Sequence, residues 1–153
     1  MTLLMADSAS PQDIPGSWTG AVAAYINDKY AWPHSQIARF RQVIRISVTG
    51  DTSEARRARV IDVEQFAATP ADAAPFIRER IRLGHHDATV YCSRDNVPAV
   101  RAACAGLTFR LWVADWTGEP HKIAGIDAWA VQYHGGASLP FDTSIIYGRP
   151  PAK

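Results

Sequence analysis

Eight short apolar runs recur along a chain of only 153 residues, and few folds accommodate so many runs with so little chain between them. The runs are 2–6, 21–26, 42–48, 59–63, 88–92, 109–114, 127–133 and 143–147. Each has the length of a strand, and residues 42–48 (QVIRISV) are especially rich in β-branched side chains. Turn formers punctuate the gaps, among them Pro11, Pro15 and Gly16 after the first run and Asn27-Asp28 after the second.

Helical signals fall between some of these runs. Pro70 follows Thr69 as a helix opening, and Ala73, Ala74, Ile77 and Ile81 keep a three-to-four residue spacing up to Gly84. A second helix is predicted over 97–105, ended by Gly106, and a short one over 33–40. Residues 49–58 (TGDTSEARRA) read as a loop. Alternation of strands and helices points to an α/β chain of parallel β/α units, and eight units point to a closed (β/α)8 TIM-like barrel. Such barrels typically take about 250 residues. The expected form is therefore compact and partly degenerate, with several helices shortened or missing. Only the crossovers after the fourth and fifth runs have room for a full helix. Residues 1–148 form the single expected domain, and 149–153 are a Pro-rich tail.

Sixteen basic residues against fifteen acidic ones give a formal net charge of +1, which argues against a broad nucleic-acid footprint and gives no reason to expect anionic lipid as a partner. No stretch of about 18 apolar residues is present to span a membrane. Met1 to Ala6 lacks the length and basic flank of a signal peptide, which leaves localisation open. Cys92 and Cys104 lack zinc-site spacing, and Cys92 in an apolar strand reads as a buried free thiol, with a single Cys92–Cys104 bridge as the alternative. The five histidines show no paired-ligand spacing, so neither a metal nor another cofactor is expected.

In a barrel of this class, functional groups sit at the C-terminal ends of the strands. Asp7, Asp62, Glu64 and Asp115 all fall at such ends. Asp142 breaks the pattern, because it stands at the start of the eighth run. Within Val60–Glu64 (VIDVE), side chains two apart share a face, so Asp62 and Glu64 point one way and Ile61 and Val63 the other. Neighbouring carboxylates repel, and repulsion with desolvation raises one pKa beside an ionised partner. Glycoside hydrolysis needs that combination. Aromatic residues gather near the same strand ends: Tyr25, Tyr91, Trp112, Trp116 and Tyr133. Their flat faces suit sugar rings, although Trp112, between Leu111 and Val113, fits core and cleft equally well.

The runs VIDVE (60–64), VYCS (90–93), LWVA (111–114), VQY (131–133) and FDTS (141–144), with Asp7-Ser8 at the first strand end, resemble the strand-end motifs of family 25 glycoside hydrolases. These are lysozyme-type muramidases acting on bacterial peptidoglycan. The opening 7–11 (DSASP), Ala24-Tyr25-Ile26 and Tyr30-Ala31-Trp32 resemble short glycoside-hydrolase-like proteins of actinobacteria and their phages. The resemblance implies a modified barrel with Glu64 as general acid/base and Asp62 in support. Asp7 and Asp142 would complete an acidic floor. Tyr25, Tyr91, Trp112, Asp115, Gln132 and Tyr133 would be substrate contacts. The implied partner is a bacterial cell-wall glycan, together with other phage or wall-associated proteins. The alternative is a catalytically inactive glycan-binding or virion structural module on the same barrel.

Overall fold

The computed structural model describes residues 2–148. The Pro-rich tail expected at 149–153 lies outside the described residues. Eight strands close into one barrel in chain order: β1 (Leu3–Asp7), β2 (Ala21–Tyr25), β3 (Val43–Ser47), β4 (Val60–Val63), β5 (Thr89–Ser93), β6 (Arg110–Ala114), β7 (Ala130–His134) and β8 (Asp142–Ile146). Strands β1 through β7 are parallel to their sequence neighbours. The expectation of eight parallel units fails at the last one. β8 runs antiparallel to both β7 and β1, with Asp7 opposite Asp142. The reason is the connection. Only seven residues separate β7 from β8, whereas a parallel crossover takes a dozen or more. The chain therefore turns back and closes the barrel as a hairpin.

The helices are reduced as the length requires. α1 is a single turn (His34–Ile37), shorter than the predicted 33–40, because Arg39 and Phe40 switch to tighter bonds onto Gln36 and Ile37. That tightening brings Phe40 within 6.0 Å of Trp32. The two full helices follow β4 and β5: α2 (Pro70–Arg82) and α3 (Val97–Ala103). α2 opens with a capping box in which the Asp72 carboxylate accepts from the Thr69 backbone N–H at 2.8 Å. Residues expected to be loop within 49–58 include a 3-10 helix (Thr52–Arg56) that buries Ala55 against α2. β7 begins at Ala130 rather than Asp127.

Two-residue alternation divides the core. Met5, Ala23, Ile46, Val60 and Trp112 fill the barrel, while Ile61, Val63, Val90 and Val113 face α2 and α3. Cys92 and Cys104 are buried free thiols. Among the described residues, no helix is long and apolar enough to cross a membrane, and no cluster of three His, Cys, Asp or Glu could hold a metal ion.

Candidate active site

The barrel filling changes character at one end. Met5, Val60 and Ile146 are followed along their strands by Asp7, Asp62 and, on the reversed β8, Ser144 then Asp142. These acids open into a cavity of about 570 Å³. Asp7, Asp62, Glu64 and Asp142 all line it, with Tyr25 and Tyr91 in its wall. The reversal of β8 explains Asp142. Its N-terminal end lies beside the C-terminal end of β1, so an acid at the start of a run arrives with the others.

Burial and crowding tune these acids. Asp7 is 4% exposed, and desolvation, then the charge of Asp142, push its pKa up to about 7. Asp62 is raised well above the carboxylate range, first by burial and then by Glu64. Glu64 stands just past the end of β4 and is the more open of the two. Burial raises its pKa, while a hydrogen bond from the Asp62 carboxyl opposes that rise. The deeper acid therefore holds the proton and donates it toward the outer one. Burial also raises Asp142, against a hydrogen bond its Oδ1 accepts from the Gly136 N–H at 3.1 Å.

Gln132, fully buried, orders the floor beneath the cavity. The indole Nε1 of Trp116 can only donate, and it donates to Gln132 Oε1 at 2.7 Å; the Tyr91 hydroxyl donates to the same oxygen at 3.0 Å. That fixes the amide so that Nε2 donates to both oxygens of Asp7, at 3.1 and 3.2 Å. Gln132 thus holds other groups rather than meeting a ligand itself.

Three expected contacts lie elsewhere. Trp112 is 1% exposed and donates to Ser144 Oγ at 2.9 Å inside the barrel, so it is core. Asp115 accepts from His121 Nε2 at 2.9 Å and pairs with Arg94 at 3.4 Å, away from the cavity. Tyr133 points to the opposite face from Gln132 and packs on the outer core. The rim holds Trp116, one of the aromatics near the strand ends, together with residues not assigned from the sequence. Trp116 is 56% exposed, Phe66 is 90% exposed, and Tyr30 and Leu139 join them. Phe66 has φ +68°, a left-handed conformation that a bulky residue adopts only when its surroundings impose it. The tight turn after β4 supplies that constraint, with Ala67 and Ala68 N–H bonding back to the Glu64 and Asp62 carbonyls. The local signal is a large aromatic just past a strand end, Phe66 three residues beyond β4 and Trp116 two beyond β6.

Among solved structures, a family 25 glycosyl hydrolase from Bacillus anthracis superposes with a TM-score of 0.57 at 16% identity, covering 96% of this chain and 89% of that one. The barrel fold is shared with that hydrolase. By sequence, no family profile and no curated protein matches the chain. The shared fold agrees with the expected partly degenerate TIM-like barrel, and the coverage means that it extends over nearly the whole chain.

Proposed function

We propose that the protein is a glycoside hydrolase acting on a cell-wall glycan of the peptidoglycan type. The carrying observation is the convergence of four carboxyl groups, from β1, β8 and the end of β4, on one open cavity with exposed aromatics at its rim. Glycosidic cleavage needs a proton for the leaving oxygen and negative charge near the developing oxocarbenium ion. Asp62 retains a proton near neutral pH because burial and then the charge of Glu64 raise it, while burial and the charge of Asp142 raise Glu64 against the hydrogen bond from Asp62. Glu64 is the member that reaches the open cavity, so it delivers the proton and Asp62 resupplies it. Charge on the opposite side comes from Asp142 or Asp7, or from the acetamido group of the sugar. Trp116, Phe66, Tyr25 and Tyr30 offer ring faces and edges for stacking. The likeness to a family 25 glycosyl hydrolase supports the same reading at the level of fold.

The test is Glu64→Gln, assayed on purified actinobacterial cell walls. General acid–base catalysis contributes about 10²–10⁴-fold, so wall clearing should fall by that factor while wall binding persists. Equal clearing by the two proteins would remove Glu64 from the mechanism. Wall binding with no clearing by the unaltered protein would instead establish a glycan-binding module.

A further inference from the structure

The opposite end of the barrel carries the reverse charge. A hollow of about 480 Å³ there is lined by Arg45, Arg56, Arg57, Arg59, Arg80 and Arg110. They come from β3, from the 3-10 helix and the residues between it and β4, from the start of β6, and from α2. His85 and His86 complete the wall, and Asp87 is the one acid in it.

Carboxylates nearby do not neutralise this set. Asp87 is taken by Arg80, with Arg59 at 3.6 Å. Glu54 pairs with Arg57 at 3.5 Å, and Glu79 pairs with Arg82 while facing Arg56. Among the described residues, Arg45 and Arg110 have no carboxylate within salt-bridge distance. Arg110 Nη1 and Arg80 Nε are buried donors without a hydrogen-bond acceptor. A buried, unpaired donor on a cation is costly, and an acceptor from outside the chain would relieve it. The charge of Arg59 is disfavoured by burial and by Arg80, Arg45 and Arg110, even with Asp87 opposing.

We propose that this hollow binds an anion carrying several phosphoryl groups. A guanidinium fork matches the oxygens of a phosphoryl group in bidentate fashion. One phosphate engages two or three such forks, whereas six around one hollow suit a chain of them. The site is independent of the carboxylate cavity and of the activity proposed for it.

The experiment titrates the full chain at low ionic strength with tripolyphosphate and with orthophosphate, followed by calorimetry and backbone-amide NMR. Tripolyphosphate should bind at least tenfold more tightly than orthophosphate and weaken steeply with added salt. The shifted amides should cluster around Arg59 and His85–Asp87, leaving those beside Asp62 in place. Arg45→Ala combined with Arg57→Ala changes two exposed side chains and should weaken tripolyphosphate at least tenfold with an unchanged circular dichroism spectrum. Equal affinity for the two anions would overturn the multi-phosphoryl assignment. So would no binding at millimolar concentration, shifts mapping outside the hollow, or full affinity in the double variant. The wild-type shift map decides the matter even if the double variant does not fold.

Discussion

Asp62 concentrates the tension between stability and chemistry in this protein. It is 2% exposed, and its Oδ1 is buried without a hydrogen-bond partner. Its folded-state pKa lies above the unfolded value of about 3.8, so the folded chain holds a proton that the unfolded chain has released. Unfolding then releases protons at pH values above about 4, and stability falls as pH rises through the neutral range. Asp7, raised to about 7, acts with the same sign between about pH 4 and 7. Asp62→Asn keeps the shape and removes the ionisation. We expect it to stabilise the fold by about 2 kcal/mol at pH 7.5, roughly 5 °C in Tm. That gain should vanish by about pH 3, below the unfolded value, where Asp62 is protonated in both states. Thermal melts at the two pH values check it, and a variant less stable at pH 7.5 would show that the charged form is the favoured one.

Strands and their ends supply the acids of the cavity, and loops between elements supply its aromatic rim. The turn after β4 throws Phe66 outward, and the β7–β8 hairpin passes against Trp116 and Asp142 at Gly135. A Cβ on Gly135 would stand 2.7 Å from the Trp116 indole nitrogen and 3.0 Å from the Asp142 carboxyl carbon. Trp116 is 56% exposed, so its indole has solvent to swing into. Gly135→Ala should therefore displace the indole, break its bond to Gln132 Oε1 and release one restraint on Asp7. The expected result is a changed Trp fluorescence spectrum and several-fold weaker glycan binding, with Tm lowered by only a few degrees. Unchanged fluorescence and affinity would mean that the hairpin yields instead.

At the scale of the whole molecule, β8 closes the barrel and completes the site in one step. It bonds to β1 and β7 along their lengths, brings Asp142 to Asp7, and carries the Ser144 hydroxyl that accepts from Trp112. Ending the chain before Phe141 would leave two open strand edges and an unsatisfied buried indole. We expect loss of the cooperative melting transition and a strong tendency to associate, because exposed edges template pairing between chains. Calorimetry with light scattering reads both, and a monomeric, cooperatively folded truncation would show that the seven parallel strands suffice. The molecule is also polarised, with carboxylates at one barrel end and arginines at the other, although its formal net charge is only +1.

Sequence periodicity alone determined the strand count, the two full helices after β4 and β5, and the shared face of Asp62 and Glu64. Each of these depends on spacing within a few residues, which the chain carries locally. Tertiary structure decided the rest. The direction of β8 depends on how a short connection meets a closing sheet, and Asp142, at the start of its run, joins the other acids only because that strand runs backwards. Trp112 and Trp116 lie four residues apart and both fit the pattern of a cleft aromatic, yet one is barrel filling and the other is rim. Only the closure of eight strands separates them. Charge polarity is likewise absent from the composition, because sums over the chain do not record which end of a barrel each side chain reaches.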